Sequence, residues 1–228
     1  FFFFLLVILP GLFSLARYGL KLSIDFTGGT VIEKNAGGEI IRSELVGPVI
    51  GRETTQNAFH SVGLASLAII LYIAYAFREI PKPYSPWKFG VAAVVALFHD
   101  VLVVVGIFSL LGHFYNVQVD SLFVTAILTV IGFSVHDTIV VFDRIRENLR
   151  KSSGPFAQIV NESIVQSLGR SLMTSITVLL TLLALILFGG QSIHWFVVAL
   201  FVGIFSGTYS SIFNAAPLLV LWEEKKAK

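Results

Sequence analysis

Charged residues divide the chain into long apolar stretches separated by shorter polar ones. A helix needs about 20 apolar residues to cross a bilayer. The stretches at 58–77 and 91–111 are apolar on all sides, whereas the strands of a membrane barrel alternate apolar and polar residues over about 10 positions. The pattern therefore predicts an all-α polytopic membrane protein. Its six predicted transmembrane helices occupy residues 1–20 (a truncated first helix), 58–77, 89–111, 121–142, 171–188 and 195–222.

Two polar segments between these helices have a recognisable pattern. Residues 21–57 contain short β-prone runs separated by Gly28-Gly29, by Gly37-Gly38 and by Gly47-Pro48, which predicts a turn-rich segment. Residues 143–170 contain a break at 153–155, after which apolar residues recur at helical spacing up to 168. This pattern predicts an amphipathic helix on the inner membrane surface, and a plain connecting helix fits it equally well.

The distribution of Lys and Arg predicts the orientation. The loop at 78–88 holds three of these residues, the loop at 143–170 holds five and the tail after 222 holds three, whereas the loops at 112–120 and 189–194 hold none. Cytoplasmic loops carry the excess of positive residues. Both termini are therefore expected in the cytoplasm, and residues 21–57 on the other side of the membrane.

Composition narrows the possible functions. The chain is 55% hydrophobic and 13% charged, against about 45–50% and about 25% in soluble domains. These values exclude a disordered chain, a nucleic-acid-binding protein and most soluble enzymes. There is no Cys, and we find no metal-ligand spacing, nucleophile motif or phosphate-binding loop. We therefore expect no enzyme activity, no metal and no cofactor, and an energy source that is an ion gradient or a partner.

Asp137 is the strongest candidate functional residue. An ionisable group inside a span costs about 2.5–3.5 kcal/mol on insertion scales, so such residues are candidates by default. Burial opposes ionisation of a carboxyl group and a nearby cation favours it, so a balanced site could load and release a proton. Arg170 is the expected cation, and it shares one face of the fifth predicted helix with three hydroxyl residues. Those residues are Thr174, Thr177 and Thr181. Helix–helix packing explains these groups equally well.

The other buried polar groups have weaker assignments. Asp100 could be a second carboxylate of the relay or a buried partner of His136 or Arg170. It could instead fix the packing between the third and fourth helices, and this structural role is slightly favoured. His136 is a further candidate for the proton relay. In the last helix, packing is favoured over a flexible transport element for a stripe of small residues that ends in a proline. This stripe consists of Gly203, Gly207, Ser210, Asn214 and Pro217.

Two motifs resemble one known family. The segment SIDFTGGT at 23–30 is similar to the sequence that follows the first helix in the SecF subunits of the Sec protein-export machinery. The segment GFSVHDTIVVFDRIREN at 132–148 is similar to the signature of the fourth helix of that family. The motif residues are Asp25, Phe26, Thr27, Gly28 and Gly29 in the first segment, and Asp143 and Arg144 in the second, where anchoring at the interface is the expected role.

The resemblance implies a function that the pattern alone does not. SecF and SecD are resistance-nodulation-division type proteins that use the proton motive force to promote protein translocation across the cytoplasmic (inner) membrane of a prokaryote. Asp137 and Arg170 match the family's relay residues. The implied coupling ion is H+, with Na+ as an alternative. The implied partners are SecD (separate or fused), the SecYEG translocon, YajC, the preprotein substrate and membrane lipids, without nucleic acid.

The sequence departs from the family in two places. SecF carries an extracytoplasmic α+β domain of about a hundred residues between helices 1 and 2, and only residues 21–57 occupy that place here. We therefore expect that residues of this domain are deleted or missing within 33–38. The chain also begins with Phe1 inside the first helix, which is expected if an amino-terminal tail is missing or if this is the SecF half of a fused SecDF. The alternative functions are a small-molecule or lipid exporter of the same superfamily and a non-transporting translocon scaffold.

Overall fold

The computed structural model describes residues 2–34, 38, 40–78, 80–81, 84–152 and 154–227. The helices are α1 (Phe2–Tyr18), α2 (Ile24–Thr27), α3 (Pro48–Ala76), α4 (Pro86–Tyr115), α5 (Ser121–Lys151), α6 (Phe156–Phe188), α7 (His194–Ser210) and α8 (Ala216–Ala227), and the strands are β1 (Gly29–Lys34) and β2 (Ile40–Val46). Phe1, Gly37, Lys82, Ser153 and Lys228, which contributed to the predictions above, lie outside the described residues.

The all-α membrane architecture is confirmed. Within the part of the chain that the structure describes, five helices are long and apolar enough to cross a membrane, at Pro48–Ala76, Pro86–Tyr115, Ser121–Lys151, Phe156–Phe188 and Gln191–Glu223. The remaining predicted span, the first one, corresponds to α1, which is an apolar helix of 17 residues. The last span combines α7 and α8 through a π-helical turn at Ser211–Ala215.

The structure differs from the prediction between the fourth and fifth spans. In the described part of this region there is no separate helix, because residues 156–168 form the beginning of α6, which continues without a break to Phe188. Ile159 and Val160 are buried against the bundle rather than lying on lipid. The amide of Asn148 on α5 donates to Ser163 Oγ at 2.9 Å, which fixes this part of α6 to its neighbour. The apolar stripe is therefore a packing face.

The segment at 21–57, predicted to be extracytoplasmic, contacts the beginnings of both α3 and α5. Strands β1 and β2 form an antiparallel hairpin in which Gly29 pairs with Val46. Before the hairpin, Gly28 has a φ of 70°, and a Cβ there would lie 2.9 Å from Pro48 Cα at the start of α3. Asp25 Oδ2 accepts hydrogen bonds from the backbone N–H and the hydroxyl of Ser121, at 3.0 and 2.8 Å. The first family motif is thus bonded to the beginning of α5.

Helix α7 lies at the centre of the bundle and packs against α4, α5 and α6. Its glycines allow this close approach, since a Cβ at Gly203 would lie 2.2 Å from a methyl group of Val130 on α5. Helix α1 packs against α4 in a similar way. A Cβ at Gly106 would lie 2.8 Å from Gly11 Cα, and the hydroxyls of Ser14 and Ser109 share a hydrogen bond of 2.8 Å between the two helices.

We predict that Gly106→Ala weakens the packing of α1 on α4. The added methyl group meets the backbone of Gly11, which cannot rotate away, so the helices must separate. We expect the free energy of unfolding to fall by about 1–3 kcal/mol, measured by thermal unfolding in detergent. Gly63→Ala on α3 is the matched control, because nothing lies within 4 Å of its Cβ position. Equal stability of both variants would contradict this account of the crossing.

Candidate functional site

Asp100 on α4 is the most extensively bonded buried carboxyl group. It is 0% exposed. Its Oδ1 atom accepts from Ser206 Oγ at 2.8 Å and lies 2.9 Å from His99 Nδ1. Its Oδ2 atom accepts from Ser134 Oγ at 2.5 Å and from Ser210 Oγ at 2.7 Å. The four hydrogen bonds come from α4, α5 and α7, so this side chain connects three helices. Neither His136 nor Arg170 is among these partners, which favours the packing role.

Asp137 on α5 is buried but sparsely bonded. It is 2% exposed, and its one hydrogen bond among the described residues comes from Ser175 Oγ at 3.4 Å. Ser175 in turn receives a hydrogen bond of 2.7 Å from the hydroxyl of Thr208 on α7. The hydroxyl of Ser171 is buried nearby and makes no hydrogen bond of normal geometry to a described residue. The carboxyl group is therefore surrounded by hydroxyls with few bonds to hold it.

The two carboxyl groups lie on opposite sides of α7. Ser206 and Ser210 of α7 bond to Asp100, while Thr208, between them in sequence, points toward the Asp137 side. Residues two apart on a helix point in nearly opposite directions. The clusters also share α5, since Ser134 of one cluster precedes Asp137 of the other by a single turn. A movement of α7 relative to α5 would consequently affect both clusters.

The structure does not bring Arg170 and Asp137 together. Arg170 is exposed on α6 and forms no ion pair with Asp137 among the described residues. The predicted hydroxyl stripe also faces outward, and each of its hydroxyls donates to a carbonyl of α6 itself. Its members are Thr174, Thr177 and Thr181. The buried polar face of α6 is instead a serine stripe that comprises Ser163, Ser167, Ser171 and Ser175.

The outward polar face of α6 continues on α5. His136 is exposed, so it points away from both carboxyl clusters. Between Ser121 and His136, the other exposed small or polar residues of α5 are Thr125, Thr129 and Gly132. We call the exposed residues Thr125, Thr129, Gly132 and His136 of α5, with Arg170, Thr174, Thr177 and Thr181 of α6, the outer polar face. Polar groups directed toward lipid are rare, and such groups usually face a protein or water.

A cavity of about 360 Å³ lies where α5 and α6 meet at the predicted cytoplasmic end. Its charged lining residues are Asp143, Arg144, Glu147 and Arg170. Arg144 pairs with Glu147 at 2.7 Å, and Arg146 Nη1 donates to the carbonyl of Ala76 at the end of α3 at 3.2 Å. Ser167 of the buried serine stripe also lines the cavity, one turn before Ser171. The cavity thus joins the charged residues at this end of α5 and α6 to one member of the buried serine stripe.

The stripe predicted in the last helix lies in the packed part of the structure. Gly203, Gly207, Ser210 and Asn214 are buried, while Pro217 is partly buried. The sequence predicts a bend at Pro217, and the structure has a π-helical turn at Ser211–Ala215, just before this proline. Proline has no N–H to bond the carbonyl four residues earlier, and such interruptions and π turns are recognised causes of helix bends.

Sequence reasoning missed the hydroxyls that bond to the carboxyl groups. Ser134, Ser206 and Ser175 bond directly, and Thr208 bonds through Ser175. A signal was available on α6, because its serines recur every four residues from 163 to 175. No cluster of three or more His, Asp or Glu suited to a metal ion occurs in the portion of the chain that is described.

Comparison with known proteins places this geometry in one family. Residues 29–225 match the family described as protein export membrane protein SecD/SecF, C-terminal, and residues 13–33 match the SecD/SecF GG motif. Protein translocase subunit SecF of Thermobaculum terrenum is 45% identical over 289 aligned positions, which cover 97% of this chain and 90% of the relative. Protein translocase subunit SecDF of Thermus thermophilus is 44% identical over 188 positions, covering 82% of this chain and 24% of the relative.

The fold agrees with a solved structure. The crystal structure of SecDF from Thermus thermophilus, titled as a translocon-associated membrane protein, superimposes with a TM-score of 0.84 and 34% sequence identity. The match covers 97% of this chain and 37% of that chain.

We predict that the two carboxyl groups differ in their contribution to stability. Asp100→Leu leaves the hydroxyls of Ser134, Ser206 and Ser210 without their acceptor, whereas Asp137→Leu removes one long hydrogen bond. We expect Asp100→Leu to lower the free energy of unfolding by about 2–4 kcal/mol more than Asp137→Leu, since each buried polar group left unpaired is costly. Thermal unfolding in detergent measures the difference. Equal losses would show that Asp100 does not hold the helices together.

Proposed function

The chain belongs to the SecD/SecF family of protein export membrane proteins, and from this premise we propose that it uses the proton motive force to promote protein translocation across the cytoplasmic membrane. It is an auxiliary subunit of the Sec translocase and a multi-pass membrane protein. We further propose that Asp137 carries the proton. The observation that supports this role most directly is a buried carboxyl group that accepts one 3.4 Å hydrogen bond among the described residues, with the hydroxyls of Ser171 and Thr208 close by.

The contrast between the two carboxyl groups supports this assignment. A proton on either oxygen of Asp100 would disturb the two hydrogen bonds at that oxygen, because a protonated oxygen becomes a donor. At Asp137 a proton would disturb at most the one 3.4 Å bond from Ser175 found among the described residues. A carboxyl group with few bonds to its charged form exchanges a proton at lower cost. We therefore propose that Asp137 is the proton carrier and that Asp100 positions α7.

We propose that protons pass between Asp137 and the cytoplasm through the cavity beside Arg170. Ser167 lines that cavity, and Ser171 lies one turn further along the buried stripe toward Asp137. Serine hydroxyls both donate and accept, so they suit proton transfer with water. Arg170 acts at the entrance in this proposal. No metal or organic cofactor is required, and H+ rather than Na+ is the proposed coupling ion.

We propose that α5 transmits the effect of protonation to the far side of the membrane. This helix carries Asp137, and its first residue, Ser121, bonds to Asp25 of the first motif. Leu22 in the same segment pairs with Val119 in the loop before α5. A shift of α5 on protonation would therefore move the attachment of the extracytoplasmic segment, which is how the proton step would reach the preprotein.

We propose SecD as the partner that covers the outer polar face. The Thermus relative carries the name SecDF, which joins both subunits, and this chain covers 37% of the solved SecDF chain. A partner helix would shield Arg170, His136 and the threonine hydroxyls from lipid. SecYEG and YajC are proposed as further partners from the family resemblance. The positive loops favour a cytoplasmic location for both termini.

We predict that Asp137→Asn abolishes gradient-dependent export. The amide has the shape of the carboxyl group but cannot take up and release a proton near neutral pH. In everted vesicles that contain the SecD–SecF complex, export should fall to the level observed without a proton gradient, while ATP-driven insertion continues. Glu162→Gln is the matched control, because that carboxyl group is exposed on α6 and does not line the proposed proton pathway.

Three outcomes would contradict the proposal in different ways. Normal gradient dependence in Asp137→Asn would remove this residue from proton transfer. Export driven by a sodium gradient alone would change the coupling ion. A defect that disappears when the variant is expressed at the wild-type level would favour the non-transporting scaffold.

We predict that Thr177→Trp weakens the association with SecD. The indole would project from the outer polar face, where we expect a tightly packed partner helix. Co-purification of SecD should fall about tenfold, which corresponds to ~1.4 kcal/mol. Leu67→Trp on α3 is the control, because Leu67 is exposed between two other exposed apolar residues of that helix, Leu64 and Leu71. Loss of SecD from both variants, or from neither, would contradict this location of the interface.

A further inference from the structure

Helix α3 is attached to the bundle mainly at its two ends. Gly51 and Ile73 are its buried residues, and every residue of this helix belongs to the described part of the chain. At the first end, a Cβ at Gly51 would lie 2.8 Å from the backbone nitrogen of Gly28. At the other end, the ring of Phe77, just after the helix, lies 6.0 Å from the ring of Phe89 on α4. The middle of α3 is therefore less closely packed than its ends.

A cavity of about 270 Å³ lies beside this middle part of α3. One wall includes Thr55 and Val62 of α3, and the opposite wall includes Val105 of α4 and Ile127 of α5. From 55 to 62 a helix rises roughly 10 Å along its axis. Phe59 also lines the cavity and is 76% exposed, so the cavity opens at the outer surface of the bundle.

The walls of this cavity favour an apolar occupant. Thr55 is its one polar lining residue among the described residues. The hydroxyl of Thr55 donates to the carbonyl of Gly51 at 2.9 Å, with the carbonyl of Phe26 at 3.4 Å. Water needs two to four polar partners in such a space, whereas apolar cavities stay dry and bind apolar molecules. In a membrane-spanning bundle, the hydrocarbon of the lipids is the apolar material in contact with such an opening.

A cation lies on the same side of α3, one turn nearer the predicted extracytoplasmic surface. Arg52 is exposed. Residues three or four apart are neighbours on a helix surface, so Arg52, Thr55, Phe59 and Val62 follow one side of α3. A guanidinium group on a long side chain can reach the membrane interface and bind a phosphate with two parallel hydrogen bonds. The apolar cavity thus has a phosphate-binding side chain beyond its polar end.

We propose that this cavity binds one acyl chain of a phospholipid from the extracytoplasmic leaflet, with the lipid phosphate at Arg52. The chain would fill the gap between α3 and the helices α4 and α5, and so restore the dispersion contacts that an empty space lacks. None of these residues lines the proposed proton pathway. The lipid site and the proton-carrier proposal can therefore fail independently.

The first test is a cryo-electron microscopy map of the intact SecD–SecF complex in nanodiscs of phosphatidylglycerol with brominated acyl chains. We expect bromine density in the cavity and phosphate density beside Arg52. Ala58→Phe places a ring in the cavity and should remove the chain density, because Ala58 lines it. Ala68→Phe is the matched control, since Ala68 is exposed on the same helix and does not line the cavity.

Three results of this experiment would overturn the proposal. They are an empty or water-filled cavity, a protein segment of SecD or of this chain in the cavity, and chain density that persists unchanged in Ala58→Phe.

The second test uses thermal unfolding of the delipidated complex, because a ligand that binds the folded state raises the unfolding temperature. We expect Arg52→Gln to need about tenfold more phosphatidylglycerol than the wild type for the same rise, since it loses a hydrogen bond to a charged group. Arg52→Lys should respond more like the wild type. Diacylglycerol, which has the chains without the phosphate, should act equally on the wild type and Arg52→Gln.

The outcomes of the second test separate the two parts of the lipid site. Equal responses of Arg52→Gln and the wild type to phosphatidylglycerol would overturn the location of the phosphate. Equal responses of Ala58→Phe and the wild type to diacylglycerol would overturn the location of the chain. Asp137→Asn should respond to both lipids as the wild type does, whether or not it exports protein.

Discussion

The buried carboxyl group of Asp100 is the interaction on which the arrangement of the helices most depends. Hydrocarbon offers no water to polar groups, so a buried carboxyl group in a membrane-spanning helix must obtain its hydrogen bonds from protein. Asp100 obtains four, and three of them come from serines on α5 and α7. These bonds require α7 to turn Ser206 and Ser210 toward α4. That rotation directs Thr208 toward Asp137 and leaves the other side of α7 to pack against α6.

The positions of the spans were predictable because each requires a long apolar window, and polar segments separate these windows. Their ends were less predictable. Helix α3 begins at Pro48, ten residues before the predicted span, since proline is well suited to the first turn of a helix. The prediction of a separate surface helix was wrong, because apolar periodicity identifies the face of a helix that is covered but not whether lipid or protein covers it. The same residues pack on α5, and nothing between 156 and 188 interrupts the helix.

Helix α6 explains why the candidate site was only partly predictable. It has two polar stripes with nearly the same spacing, one of threonines with Arg170 and one of serines. The cation made the first stripe the more prominent in the sequence. The structure buries the second, because serine side chains are small enough for α5 and α7 to approach closely. Which stripe faces inward depends on packing between helices that are distant in sequence. Asp137 itself was identifiable, because a carboxyl group inside an apolar span is unusual whichever way the helix is rotated about its axis.

The two carboxyl groups illustrate how the number of hydrogen-bond donors can separate structural from transport roles. Both are buried, and both lie beside α7, so burial alone does not distinguish them. Four donors hold Asp100 in one position, whereas a single long bond leaves Asp137 free to change partners. Because Ser206, Thr208 and Ser210 belong to one helix, a rotation of α7 that brings Thr208 closer to Asp137 must also strain the bonds to Asp100. A proton on Asp137 and the position of α7 are therefore expected to be coupled, with the Asp100 cluster providing the restoring force.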